Sequence, residues 1–144
     1  MVQVYRNIYQ LAREGTGLTQ EKSSEILDIS VDSLRAYEGG KRIPPENIVV
    51  DMAKIYNCPY LILQHHQTNT LIGKELFQNV QVKYLAEAVL TFLDAFEDLE
   101  KIKKLMIKIS CDGEIDESEK DDWKKIMRIV NEFIAAGMAL NYTK

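Results

Sequence analysis

Ser30 to Pro45 of the 144-residue chain read SVDSLRAYEGGKRIPP. A short helix fits the stretch after Ser30, ending at the pair Gly39-Gly40 before a loop that holds Lys41 and Arg42. On that helix Leu34 and Tyr37 turn inward, which leaves Val31, Asp32, Ser33, Arg35 and Ala36 on or near the outer side. An arginine on such a face can read a base edge, and an aspartate, although it repels phosphate, can accept from the amino group of cytosine. Lysine and arginine nearby can neutralise phosphates. The chemistry implied is non-covalent recognition of nucleic acid.

The formal net charge of -4 sets that implication a test. Residues 1–66 hold seven Lys/Arg against eight Asp/Glu, a net of -1, and residues 67–144 hold eleven against fourteen, a net of -3. The acid is concentrated away from the helix in question. Affinity depends on where cations lie against phosphates, with a log–log salt slope of about -0.9 for each phosphate neutralised. Arg35, Lys41, Arg42 and Lys22 are the candidates in one chain. So few predict poor binding by a monomer, and a two-fold dimer doubles the set.

The elements that must position these residues begin at Leu18. Thr19 suits an N-cap, with Gln20 and Glu21 in the first turn where the helix presents its positive end. Ile26 and Leu27 close that helix, Asp28 occupies a tight turn, and Ser30 caps the next helix. Two short helices, a tight turn, and a second helix with small or polar outer residues make the geometry that lets one helix lie in a major groove.

At these residues the chain resembles the Cro/repressor-like helix-turn-helix family, or XRE-type regulators. The matching pieces are Leu18-Thr19-Gln20-Glu21, Ile29-Ser30, Leu34, Tyr37-Glu38-Gly39-Gly40-Lys41-Arg42-Ile43-Pro44, Met52-Ala53 before Tyr56, and Leu61-Ile62-Leu63. The resemblance covers roughly the first 60 residues. It implies a five-helix, lambda-repressor-like domain that dimerises on a pseudo-palindromic stretch of double-stranded DNA. It further implies that Gln20 holds a phosphate or base, that Val31, Asp32, Ser33 and Arg35 present to the groove, and that Lys41 and Arg42 sit over the backbone. Arg13 pairs with Glu38 on the same reading, as scaffold. The chain departs from the family at Ser23-Ser24, where a Leu-Ala pair is usual, and at Asp28, where a turn glycine is common. Asp tolerates the left-handed region, so the turn is expected to survive; the serines are expected to lower stability.

Helical spacing runs through the whole chain, and no stretch alternates long enough for a half-buried strand, so an all-α protein is expected. Residues 1–66 form the first domain, 67–79 a linker with room for a short helix, and 80–144 a long helical hairpin turning at CDGEIDESE. Leu85, Val89, Phe92, Phe96 and Leu99 recur at seam spacings, as do Trp123, Ile126, Val130, Phe133, Gly137 and Leu140. Leu90, Leu93, Leu105 and Met106 widen the apolar arc beyond what one partner helix covers. The excess predicts dimerisation through Leu85, Val89, Phe92, Phe96, Trp123, Val130, Phe133 and Gly137, as a four-helix arrangement; the alternative is packing on the N-terminal domain.

Other chemistry is sparse. The turn at Asp112-Gly113 resembles half an EF-hand loop, but Lys108 and Ser110 stand where the first ligands belong, so no calcium site is expected. Gly113 should end the first long helix, and Asp116 with Glu119 should cap the second. His65-His66 reads as a solvated helix end rather than a metal site. Cys58 and Cys111 suggest reduced thiols. No catalytic constellation, cofactor motif, signal peptide or membrane span is legible, which predicts a non-enzymatic cytoplasmic protein. The expectation is a bacterial or phage-type transcriptional regulator, a repressor acting as a homodimer on an inverted repeat, with any switching left to a regulatory protein or small-molecule effector. The alternative is an antitoxin-type or protein-interaction module with the same fold.

Overall fold

The computed structural model describes residues 7–144; the expected start of the first domain at residue 1, and part of the stretch read as lacking a signal peptide, lie outside the described residues. The described residues are all-α, with eight helices and no strand: α1 (Ile8–Glu14), α2 (Gln20–Ile26), α3 (Val31–Glu38), α4 (Glu46–Ile55), α5 (Tyr60–Asn69), α6 (Leu71–Phe77), α7 (Leu85–Ile109) and α8 (Lys120–Asn141). The chain forms two compact units, divided between Gln78 and Asn79.

In the first unit the short helices are fixed at both ends by local chemistry. The side chains of Asn7, Thr19 and Ser30 accept from the backbone N–H of Gln10, Lys22 and Ser33, satisfying donors that have no partner inside the helix. Three helices end on one device, a residue in the left-handed region: Asp28 (φ 53°) after α2, Gly40 (φ 71°) after α3 and Asn57 (φ 49°) after α4. In each, the next N–H reaches back to the last turn: Ile29 to Ser24 at 3.0 Å, Lys41 to Ala36 at 2.9 Å, Cys58 to Ala53 at 2.8 Å. Asp28 therefore keeps the turn without a glycine.

The ends bring the apolar faces together around Leu34, Met52 and Leu61, which are fully buried, with Tyr9, Leu27, Tyr37, Val49, Ala53, Tyr56 and Cys58 completing the core. Ser23 and Ser24 are buried as well. The Ser23 hydroxyl is hydrogen-bonded to Tyr56 Oη, and Ser24 Oγ donates to the Glu21 carbonyl at 2.9 Å. Their polarity is thus satisfied inside the core, which removes most of the cost expected of them. Burial of Tyr56 pushes its hydroxyl pKa up, and the Ser23 bond opposes that.

The run QHHQTNT, expected to begin the linker, is helical through Asn69. His65 is not a solvated end but is buried, its Nδ1 2.7 Å from Tyr9 Oη. Asn69 Nδ2 donates to the same Tyr9 oxygen at 3.0 Å, so the tyrosine proton points to a neutral His65 ring. Burial, then the neighbouring His66, lowers the His65 pKa, with Glu46 opposing; burial raises Tyr9 to about 12, against the Asn69 bond. Thr70 caps α6, and a Cβ at Gly73 would collide with the His66 carbonyl, which fixes a glycine where α5 turns into α6.

The second unit is the α7–α8 hairpin. α7 begins at Leu85 rather than Val80, so its 25 residues span about 37 Å at 1.5 Å per residue. It ends at Ile109, before Gly113, whose left-handed φ of 79° serves the turn. Asp116 Oδ1 accepts from Glu119 N at 3.0 Å and Glu119 Oε2 from Asp116 N at 3.3 Å, a reciprocal pair in the turn before α8; the N-cap of α8 itself is Glu119, not the expected Asp116, and it makes no side-chain cap. Hydrogen bonds from Ser118 and that backbone hold the Asp116 carboxyl below its usual range. Ala88, Ile109, Ile126, Ala136 and Ala139 are buried in this unit, and Phe92 and Phe133 stack at 5.1 Å.

Candidate nucleic-acid interface

Ser30 and the Gly39-Gly40 end set both limits of α3, so its outer face has a defined orientation. Leu34 and Tyr37 anchor it, while Asp32 and Arg35 are exposed and Val31, Ser33 and Ala36 half-buried. The Ser30 hydroxyl donates to Ser33 Oγ at 2.9 Å, and Arg42 Nη2 donates to the same oxygen at 2.9 Å. The Arg42 guanidinium also lies 5.2 Å above the Tyr37 ring. The loop cation is thereby held against the helix. Lys41 is exposed beside it.

Behind this face runs a hydrogen-bonded chain that begins in the core. Arg13 and Glu38 form a buried, two-pronged pair, Nε to Oε1 at 2.6 Å and Nη2 to Oε2 at 3.0 Å, while Arg13 Nη1 donates to the Leu18 carbonyl at 2.6 Å. The Glu38 hydrogen bond raises the Arg13 pKa against burial. Gln20 Nε2 donates to Glu38 Oε2 at 2.8 Å, and Gln20 Oε1 accepts from Arg35 Nε at 3.4 Å. The structure thus joins Arg13, Glu38, Gln20 and Arg35 in one network, with the amide of Gln20 committed to protein partners at both ends.

Arg35 has two further partners, Glu21 Oε1 at 3.1 Å and Asp32 Oδ1 at 3.4 Å. Glu21 was legible in the sequence only as an acid at a helix N-terminus; its position beside Gln20, across the turn from Arg35, was the available signal. Lys22 pairs with Glu25 at 2.9 Å, so of the four candidate cations Lys41 alone has a side chain without a hydrogen bond or ion pair among the described residues.

In the hairpin the residues expected at a dimer seam divide into three sets. Phe92, Phe133 and Gly137 serve the hairpin itself: the two rings stack, and the Phe92 ring lies 3.6 Å from where a Cβ on Gly137 would be. Trp123 and Val130 are half-buried on α8. Leu85 and Val89 remain exposed, and Phe96 is 43% exposed although 6.3 Å from Phe133. Leu90 and Leu93, expected to widen the apolar arc of α7, are exposed, and so is Ile107.

Among the described residues no group of three or more His, Cys, Asp or Glu side chains is placed to hold a metal, Cys58 and Cys111 are unpaired with one another, and no helix is long and apolar enough to cross a membrane. No curated protein and no solved structure matches the chain. Residues 10–60, which take in α2, α3 and the turn between them, match the family model of a helix-turn-helix domain. That segment is accordingly a helix-turn-helix domain, a DNA-binding fold, and the region C-terminal to it is unassigned to any family.

Proposed function

We propose that the protein is a sequence-specific transcriptional regulator, a cytoplasmic repressor that acts as a homodimer on an inverted-repeat operator. The observation that carries this reading is α3: a capped helix at the surface of the helix-turn-helix domain, with Val31, Asp32, Ser33 and Arg35 turned outward. On this reading Arg35 reads a base edge, Asp32 accepts from a cytosine amino group, and Lys41 and Arg42 hold the phosphate backbone. Gln20 holds a phosphate or positions Arg35. Leu85, Val89 and Phe96 contribute exposed apolar surface to the dimer, with Phe92, Trp123, Val130, Phe133 and Gly137 behind them.

Selection of bound fragments from random duplex DNA, at stated salt, tests the reading directly. An inverted repeat with half-sites about 34–36 Å apart is the expected product. Arg35→Ala relaxes preference at one base position, whereas Lys41→Ala weakens all sequences evenly and lowers the salt slope by about one. The acids around Arg35 favour a second reading, a protein-interaction or antitoxin-type module, because a cation already faced by Glu21 and Asp32 gains less from phosphate. Unchanged DNA affinity in the Arg35→Ala/Lys41→Ala double variant selects that second reading.

A further inference from the structure

Resting on the homodimer proposed above, the structure also points to how two copies meet. α7 carries a line of side chains at spacings of three and four: Leu90, Leu93, Glu97, Glu100, Lys104 and Ile107, all exposed. Its three apolar members are 64%, 50% and 57% exposed. The line is separate from the Phe92–Phe133 stack that closes the hairpin and from a polar groove on the opposite flank of α7 that holds Asp94 and Asp98.

The charges along this line are segregated. Glu97 and Glu100 come first, then Lys104, with Lys103 beside it off the line. Among the described residues these four form no ion pair, whereas Asp98, on the groove side, is tied to Lys101 at 2.7 Å. Side-by-side parallel pairing of two such helices sets acid on acid and lysine on lysine. Antiparallel pairing sets Glu97 of each chain opposite Lys104 of the other, with the two Glu100 side chains at the axis flanked by these lysines, and brings Leu93 of each chain toward Ile107 of the other.

We propose that α7 pairs antiparallel with α7 of a second copy, about a two-fold axis lying between Glu97 and Lys104, so that the apolar line is covered and Glu97 of each copy meets Lys104 of the other. The occupant of this face is a second copy of the chain because the pattern is complementary to its own reverse.

Cys111 supplies the test. It is exposed just beyond the end of α7, whereas Cys58 is buried, so a nitroxide reagent applied to the folded full-length protein reports from Cys111. Cys111 lies about ten residues from the axis, which places the two labels roughly 30 Å apart at 1.5 Å per residue. A parallel pair instead brings them within about 10–15 Å, near the interaxial spacing. Light scattering of the same sample establishes the dimer. Glu97→Lys/Glu100→Lys is expected to weaken self-association by about ten-fold or more, and adding Lys103→Glu/Lys104→Glu to the same chain is expected to restore it. A monomer at micromolar concentration overturns both the homodimer and this pairing. A dimer with a short label distance, or one indifferent to charge reversal, overturns the pairing alone.

Discussion

Glu21→Gln is expected to strengthen operator binding. In the free protein Arg35 Nη2 lies 3.1 Å from Glu21 Oε1, with the arginine side chain 53% and the glutamate 66% exposed. Exposed ion pairs of this kind are worth about 0.2–1 kcal/mol. A bidentate contact between arginine and a guanine edge discriminates by about 1–3 kcal/mol. A contact of that strength outweighs the ion pair, with a fraction of its gain offset by the release of Glu21. Glutamine keeps the shape, weakens that hold on Arg35, and removes a charge that repels the backbone. The gain should be roughly 1.5- to 5-fold in affinity, the equivalent of 0.2–1 kcal/mol. The assay is fluorescence anisotropy on the selected operator at fixed salt, repeated with Glu21→Gln in an Arg35→Ala background. If the effect runs through Arg35, most of the gain disappears there. A full gain without Arg35 means that only general repulsion was relieved, and weaker binding by Glu21→Gln alone refutes the reasoning outright.

Three further expectations concern the scaffold. Arg13→Leu leaves Glu38 as a buried carboxylate with Gln20 as its remaining donor, so urea unfolding should show a loss of about 3–5 kcal/mol, much of it regained by Arg13→Leu/Glu38→Leu. The folded-state pKa of His65 lies below its unfolded value of 6.5, so the unfolded chain takes up the proton first and stability is lost as pH falls below that value; His65→Gln should flatten the urea midpoint between about pH 7 and 5, and an unchanged slope would discount the buried histidine. Gly137→Ala should raise stability by about 0.5–1 kcal/mol, since helical glycine is costly and the Phe92 ring leaves ordinary contact distance for a Cβ; a loss of dimer in that variant would instead place Gly137 at a close approach between chains.

The sequence discloses what depends on neighbours and hides what depends on distant partners. Thr19, Ser30 and Gly40 act on backbone groups within a few residues, so the start of α2 and both ends of α3 were readable from spacing alone. The Asp116–Glu119 pair was readable for the same reason. Ser23 looks like a flaw in the sequence because its compensating partner, Tyr56, stands at the end of another helix, 33 residues on. The stretch after Leu63 looked like a linker because His65 and Asn69 count as polar in any periodicity argument, yet their polarity is spent on Tyr9, 56 and 60 residues away in sequence. At the interface, spacing places Arg35 on the outer face with Asp32 one turn before it, whereas the reach of Gln20 and Glu21 from the preceding helix to the same guanidinium depends on the packing of the two helices.

That convergence bears on why the hairpin matters to the proposed reading. Lys22 and Arg35 face carboxylates, and Arg42 is occupied with Ser33 and Tyr37. Each must exchange a partner within the chain for one on DNA, so its net gain is the difference between two similar contacts; Lys41 gives up no such contact. A single domain therefore has a small surplus per phosphate and should bind weakly and with little selectivity. Joining two domains changes the arithmetic, because once one half-site is held the second meets its domain at an effective concentration that reaches the millimolar range for a short flexible tether. Substitutions on the exposed line of α7, far from α3 in sequence, should then cost more operator affinity than Lys41→Ala does. Chains that can no longer pair should retain the weak, salt-sensitive binding of one helix-turn-helix domain, and operator affinity unchanged in such chains would show that the reading unit is the monomer.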